Sequence, residues 1–238
     1  MKKRIKIDHF KNFKFLSNVK VSNQNQIAFL VKQACMEENG YHSNLYLLQE
    51  GRPVALTASN DINSFYWLED SIVFPALRCQ KDRDYKAKGF PLTVLQQLVP
   101  GMGEAQEFLK LPYNVTGIYF ISKTDFLFTA TYNPYIEQMM AANGGATEAA
   151  AAAIKAENDY HVFDELPFWS NGVGIVNKQR NRLYHYKDGN VTPVVDEYTT
   201  VSQCVKIKDT EKFIVVSKRY EHKMEIPNDL YLFDASTN

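Results

Sequence analysis

Two acidic pairs are the residues in this chain whose type could do the most direct binding chemistry. Glu37 and Glu38 form one pair, and Asp164 and Glu165 form the other. Adjacent carboxylates can hold a free amino group through charge-assisted hydrogen bonds, which are stronger than neutral ones. Ordinary solvated loops carry the same residue types, so both interpretations stay open at this stage.

Sequence patterns for catalysis and metal binding are absent. The chain has no Gly-x-Ser-x-Gly sequence, and Ser170 lacks the glycine two residues before it, so we interpret Ser170 as a turn residue. The histidines show no His-x-His or His-Glu-x-x-His spacing, and none has a cysteine at metal-ligand spacing. We therefore expect no catalytic residue, no metal and no cofactor in this chain. The five histidines are His9, His42, His161, His185 and His222.

The cysteines and the amino terminus indicate the compartment. Cys35, Cys79 and Cys204 are odd in number and far apart, which favours reduced thiols over a disulfide framework. The basic start Met1-Lys2-Lys3-Arg4 is not followed by the apolar run of a signal peptide. No stretch of about 18 apolar residues occurs either, so we expect a cytoplasmic protein without a membrane partner.

Charge and composition narrow the classes of partner. The 27 basic and 27 acidic residues cancel, so no global field attracts nucleic acid or an anionic membrane. The hydrophobic content of 45% is ample for a core. We therefore expect an ordinary globular fold with no nucleic-acid partner.

The elements that must position the acidic pairs are strands that recur along the chain. Four times a polar turn leads into an apolar strand, and a strand of the Leu-Tyr-apolar type follows downstream, with a weaker copy in the second unit. About four strands per unit are typical of β-propeller blades, so the predicted fold class is all-β. The predicted units are 15–58, 64–112, 115–197 and 201–238, the last lacking its outer strand.

The predicted connections between second and third strands carry most of the additional residues. They span 33–43, 79–90, 134–181 and 221–228, and in a propeller they would share one face. The longest combines helix formers at 137–142 with an alanine run at 149–153, for which Thr147 could be the N-cap. We expect a helical insertion there, although an alanine run can also be a flexible linker. Binding residues concentrate on such loops.

The incomplete fourth unit leaves a predicted strand edge unpaired. Either the chain is a piece of a longer protein, which we favour, or the alternating segment 4–8 supplies the strand by ring closure. An open edge would also favour self-association.

Two segments resemble a known family. Residues 37–46 (Glu-Glu-Asn-Gly-Tyr-His-Ser-Asn-Leu-Tyr) and 163–174 (Phe-Asp-Glu-Leu-Pro-Phe-Trp-Ser-Asn-Gly-Val-Gly) resemble the first and third blades of prolyl oligopeptidase-type (S9) serine peptidases, in the acylaminoacyl-peptidase branch. The Ser-Pro-Asp-Gly turn of many relatives is replaced by Ser-Asn-Gln-Asn at 22–25. The resemblance implies an N-terminal propeller of usually about seven blades and a C-terminal α/β-hydrolase domain that this chain does not contain.

That resemblance implies a role in substrate access. The propeller of this family restricts the active site to short or unfolded peptides and contributes substrate contacts, whereas the triad lies in the other domain. We expect six residues to face the cavity between the two domains and to contact a short peptide substrate. These residues are Glu37, Glu38, Tyr41, Asp164, Glu165 and Trp169.

Two other functions stay open. A stand-alone propeller could bind a protein or peptide on its insertion-rich face without enzymatic activity. A sugar-active propeller would need convergent carboxylates on its inner strands, and segments 65–67 and 117–120 are mainly aromatic and apolar instead.

Overall fold

Each apolar repeat of the sequence forms the second strand of an antiparallel meander. The structure is a computed structural model that describes residues 4, 6–157 and 161–237, without the side chains of residues 7 and 8. The first two sheets each have four strands in sequence order. Their strands are β1 (Lys14–Val21), β2 (Ile27–Cys35), β3 (Gly40–Gln49), β4 (Arg52–Ala55), β5 (Tyr66–Leu68), β6 (Ser71–Pro75), β7 (Thr93–Leu98) and β8 (Gln106–Leu111). Helix α1 (Gln80–Ala87) lies between β6 and β7.

The third and fourth sheets repeat the meander. The third has the order β9-β10-β13-β14, the insertion separating its two middle strands, and the fourth has three strands. The elements are β9 (Asn114–Phe120), β10 (Asp125–Tyr132), α2 (Pro134–Ala142), α3 (Glu148–Glu157), β11 (Trp169–Ser170), β12 (Gly174–Ile175), β13 (Arg180–Lys187), β14 (Asn190–Pro193), β15 (Thr199–Lys206), β16 (Lys212–Arg219) and β17 (Asp229–Asp234). These meanders confirm the all-β propeller fold and the helical insertion in the third sheet.

The chain divides into two compact units, each with its own core. The first comprises residues up to Leu77 and Val94–Lys110, and the second comprises Arg78–Thr93 and Leu111–Asn238. The first core contains residues such as Leu30, Leu45, Phe65 and Phe74, and the second contains Leu127, Leu183, Val201, Cys204 and Phe213. Burying these side chains supplies the main favourable free energy of folding in each unit.

The second strands differ in how many of their faces are buried. Strands β2, β6 and β10 contain runs of consecutive buried residues, which explains their uninterrupted apolar sequences. Strand β16 alternates instead, because Phe213 and Val215 are buried and Ile214 is exposed. Alternation of this kind is typical of a sheet packed on one face.

Three local expectations can be compared with the structure. Thr147 is the N-cap of α3, where its Oγ1 accepts a hydrogen bond from the Ala150 amide at 3.2 Å, as predicted. The connection 79–90, expected to be a loop, contains α1. Ile7–Asn12 form a 3₁₀ helix, so the expected closing strand is wrong over the described part of segment 4–8; Ile5 lies outside the described residues. No helix within the described residues is long and apolar enough to cross a membrane.

Thiol reactivity tests whether Cys204 is buried in the core of the second unit. We expect Ellman's reagent to modify Cys79 rapidly in the native chain and to leave Cys204 unmodified. Cys79 is exposed, whereas burial raises the pKa of the Cys204 thiol to about 12, and the thiolate is the reactive species. Timed labelling followed by peptide mass spectrometry measures both rates.

The same pKa shift predicts how the stability of the fold changes with pH. Because the folded pKa of Cys204 lies above its unfolded value, the stabilisation from the neutral thiol is complete below the ordinary pKa. It is lost as the pH rises through about 12. Modification of Cys204 at the rate of Cys79, with a native circular dichroism spectrum, would contradict the assignment.

Candidate functional site

A buried ion pair fixes the insertion to the sheets of the second unit. Arg180, the first residue of β13, donates from Nη1 and Nη2 to the two carboxylate oxygens of Glu165 at 3.0 and 2.5 Å. Its remaining donors reach the carbonyl oxygens of Gln179, Tyr198 and Tyr220. The guanidinium also lies 3.8 Å from the centre of the Tyr220 ring. All five N–H groups of the guanidinium therefore donate hydrogen bonds within the protein.

Backbone hydrogen bonds extend the attachment on both sides of this pair. The Leu166 amide donates to the carbonyl of His222, and the Met224 amide donates to the carbonyl of Leu166, both at 2.8 Å. The Lys178 amide donates to Oε1 of Glu165 at 3.1 Å. The segment that follows α3 is thus bonded to the connection between β16 and β17.

The neighbours of Glu165 form the exposed surface of the insertion. The Lys178 ammonium lies 2.5 Å from the Asp164 carboxylate, and this hydrogen bond lowers the pKa of Asp164 despite some opposing desolvation. The ring centres of Phe163 and Phe168 are 4.5 Å apart, and both side chains are exposed. Trp169 is 55% exposed. Charged and aromatic groups therefore face solvent together here.

Residues of the insertion and its flanks line a cavity of about 180 Å³, and Asn177 is one of them. Asn177 is buried, and its Nδ2 donates to the Tyr135 hydroxyl at 3.0 Å and to the Val162 carbonyl at 2.9 Å. Its Oδ1 has no hydrogen-bond partner among the described residues. The cavity is lined by Asn133, Tyr135, Ile136, Met139, Ile154, Glu157, His161, Val162, Ile175, Asn177 and Gln179.

A second cavity of about 230 Å³ is lined by three tyrosines and two prolines among other residues. The ring centres of Tyr113 and Tyr184 are 4.9 Å apart, and Tyr132 lies beside the Glu137 carboxylate. Burial raises the pKa of Glu137, which the positive charge of Arg182 partly offsets, and burial raises the pKa of Tyr184 to about 12. At neutral pH the tyrosines are neutral hydrogen-bonding groups with apolar faces.

A histidine–aspartate pair in the same unit is a structural feature of the third sheet. His185 of β13 is buried, and its Nε2 lies 2.7 Å from Oδ1 of Asp125 at the start of β10. Leu127 pairs with His185 in the register, so Asp125 is its diagonal neighbour on the same face. His185 and Asp125 therefore share one face of the third sheet.

The structure separates the six predicted contact residues into two groups. Asp164, Glu165 and Trp169 lie in the second unit, and Glu165 lines a cavity of about 340 Å³. Its carboxylate is already bonded to Arg180 and the Lys178 amide, so its observed contacts position the insertion. A single acidic pair in the sequence therefore divides into one exposed and one buried carboxylate.

The other three predicted residues lie at the β2–β3 hairpin of the first unit. Glu37 and Glu38 are exposed in the four-residue turn, and Glu38 Oε2 is 3.0 Å from Nε2 of His42. Tyr41 lies within β3 opposite Ala34, in contrast to the loop position expected from segment 33–43. Its ring is exposed.

Sequence reasoning missed Asn177 and the Cys35–Glu38–His42 cluster. The thiol, carboxylate and imidazole donor atoms of the cluster all lie within 4.8 Å of one another. Sequence spacing alone did not reveal it, because the hairpin register sets the cross-strand neighbours. In the β2–β3 register Gln33 lies opposite His42, which places Cys35 on the same face as His42.

Comparisons with known proteins support the fold. No protein-family model matches the chain, and no curated protein sequence matches it. Uncomplexed acylaminoacyl peptidase from Pyrococcus horikoshii is similar over 94% of this chain and 32% of that chain, with 13% identity and a TM-score of 0.62. An acylaminoacyl peptidase in complex with Z-Gly-Gly-Phe-chloromethyl ketone gives the same coverage and TM-score with 14% identity. This chain thus spans about a third of the length of these peptidases.

A more distant similarity involves a separate domain structure. The β-propeller domain of the Trilobed protease from Pyrococcus furiosus is similar over 94% of this chain and 69% of that chain, with 13% identity and a TM-score of 0.42.

Adjacent acidic residues allow a matched test of the buried ion pair. Glu165→Gln should destabilise the second unit by about 3–5 kcal/mol, because Arg180 would keep a buried charge without its counterion. Asp164→Asn changes an exposed neighbour by the same chemical step, and we expect it to leave the unfolding midpoint nearly unchanged. Urea unfolding measures the stability, and hydrogen exchange locates the loss within residues 161–179. Equal losses of stability in the two variants would contradict the structural role of the Glu165–Arg180 ion pair.

Proposed function

We propose that this chain is the amino-terminal propeller portion of a serine peptidase or related hydrolase, in which it contacts short peptides and restricts their access to a separate catalytic domain. The shared fold with acylaminoacyl peptidases supports this proposal, as does the chain's coverage of 32% of their length. Segments 37–46 and 163–174, which resemble that family, support it independently of the fold.

The residues that line the cavity of the insertion indicate a class of substrate. Asn177 lines this cavity, and its Oδ1 accepts no hydrogen bond from the described residues. Ile136, Met139, Ile154 and Val162 also line the cavity and supply apolar surface. A peptide amide donates one N–H and carries an adjacent acyl group or side chain, so it complements both features. An acceptor buried without a partner is costly, and a ligand N–H would remove that cost. The cavity volume of about 180 Å³ fits a side chain or a small acyl group.

The exposed surface next to this cavity would extend the peptide contact. Ile175 lines the cavity and pairs with Trp169 across the β11–β12 ribbon, so the indole lies on the adjoining surface. Asp164 adds a carboxylate on the same segment. Glu37, Glu38 and Tyr41 stay predicted contacts from the first unit.

An activity-based probe tests the hydrolase assignment. We expect antibodies against this chain to isolate, from its native source, a polypeptide larger than 27.3 kDa that a fluorophosphonate labels and that hydrolyses acyl-aminoacyl chromogenic substrates. The purified 238-residue chain should be unlabelled, because it has no nucleophile elbow.

Two results would overturn the assignment. A native polypeptide of 27.3 kDa without labelling would favour the stand-alone binding module. Turnover by the purified chain, abolished by serine-directed inhibitors, would instead place catalysis within these residues.

Binding of a blocked peptide to the purified chain tests the cavity. Asn177→Ala should weaken binding of a fluorescent N-acetyl dipeptide amide about tenfold, since one hydrogen bond to a buried acceptor is lost. Fluorescence anisotropy measures the dissociation constant. Met139→Trp should also weaken binding, because the larger side chain fills the cavity.

Two further variants separate ligand contact from local structure. Asn171→Ala removes an exposed asparagine from the same insertion and should bind normally. Tyr135→Phe removes the hydroxyl that Asn177 Nδ2 bonds but leaves Oδ1 available, and it should retain binding. Loss of binding in Tyr135→Phe to the extent seen in Asn177→Ala would assign Asn177 a structural role and overturn the contact.

A further inference from the structure

The β2–β3 hairpin places three different metal-ligating side chains together in the first unit. Strand β2 ends at Cys35 and β3 begins at Gly40, so a four-residue turn joins them. Asn39 takes a positive φ of 48° within this turn, a conformation that asparagine tolerates better than most residues. Cys35 pairs with Gly40, and Gln33 pairs with His42. Cys35 and His42 are therefore diagonal neighbours on one face of the hairpin.

The turn supplies the third group. Glu38 folds back over the hairpin, so that its Oε2 lies 3.0 Å from Nε2 of His42. The Cys35 Sγ completes a set in which every donor atom lies within 4.8 Å of the others. Zinc–ligand bonds of about 2.0–2.3 Å place tetrahedral ligand atoms roughly 3.3–3.8 Å apart, so a small side-chain adjustment would bring all three onto one ion.

The chemistry of the three groups selects among metal ions. A thiolate, an imidazole and a carboxylate are the three protein ligand types that Zn²⁺ takes in tetrahedral sites. Ca²⁺ and Mg²⁺ prefer oxygen ligands throughout, so the thiol disfavours them. Thiolate and carboxylate together neutralise the charge of Zn²⁺ while His42 binds as neutral imidazole. The hairpin register places the Cys35 sulfur beside the Glu38–His42 pair, where it supplies a third donor atom.

The surroundings provide room for a fourth ligand. Cys35 and His42 line a surface depression of about 280 Å³, together with Lys14, Gln33 and Asn44. The Glu38 side chain beside this depression is mostly exposed, so water reaches the cluster. The Lys14 ammonium would favour a hydroxide or an anionic group in the open position.

We propose that Cys35, Glu38 and His42 form a zinc site with one position open to water or an anionic ligand. All three ligands lie within eight residues of one rigid hairpin, so little chain entropy is lost when they converge. The proposal is independent of the peptide-binding cavity, because the three ligands lie in the first unit and the residues that line the cavity lie in the second.

Titration of the reduced full chain with Zn²⁺, followed with a competing chromogenic indicator, tests the site. We expect one ion per chain with a dissociation constant of about 1 µM or lower. Co²⁺ should give a thiolate charge-transfer band and the visible bands of tetrahedral coordination. Bound zinc should protect Cys35, but not Cys79, from Ellman's reagent.

Ligand variants and matched controls make the test specific. Cys35→Ser should abolish the charge-transfer band and weaken zinc binding at least about 100-fold, and His42→Gln and Glu38→Gln should each weaken it at least about tenfold. Glu37→Gln and Cys79→Ser alter the adjacent carboxylate and the exposed thiol, and they should leave affinity unchanged. Circular dichroism checks folding of each variant. Absence of binding by the folded chain, or unchanged affinity in Cys35→Ser, would overturn the proposal.

Discussion

The buried pair of Glu165 and Arg180 is the interaction on which the second unit depends. A guanidinium removed from water is costly, and this one is compensated only because a carboxylate, three carbonyl oxygens and the Tyr220 ring converge on it. Those partners come from the insertion, from the start of β13 and from segments flanking β15 and β16. The part of the insertion that precedes β13 is therefore held by this pair and by the backbone hydrogen bonds of Leu166.

The parts of the fold that local sequence controls could be predicted. The apolar runs of β2 and β10 indicate strands buried on both faces, and they recur with turn residues at intervals that match antiparallel meanders. The helical insertion followed from alanine propensity and from the Thr147 cap, both of which act within a few residues. The charged segment of α1 could not be assigned in this way, because alternating charges suit a solvated loop as well as an exposed helix.

The candidate sites depend on pairings that the sequence does not display. Asp164 and Glu165 are neighbours of the same chemical type, yet Asp164 is exposed and Glu165 is buried. The difference arises because Arg180, fifteen residues after Glu165, forms its ion pair with Glu165 alone. Cys35 and His42 meet through strand register, and a shift of one residue would place them on opposite faces. Asn177 resembles any loop asparagine until its two donated hydrogen bonds fix the direction of its carbonyl oxygen.

Asn177 Oδ1, which has no hydrogen-bond partner in the described part of the chain, has a consequence for the selectivity of the proposed peptide site. A ligand that enters its cavity without an N–H at the matching position would leave that oxygen desolvated and unbonded, whereas a donor would satisfy it. Sites built around a buried polar group discriminate more strongly against a missing partner than apolar pockets do against a missing methylene. Under the proposed peptide-binding role, proline and N-methylated residues, which lack this hydrogen, would bind more weakly than ordinary amides.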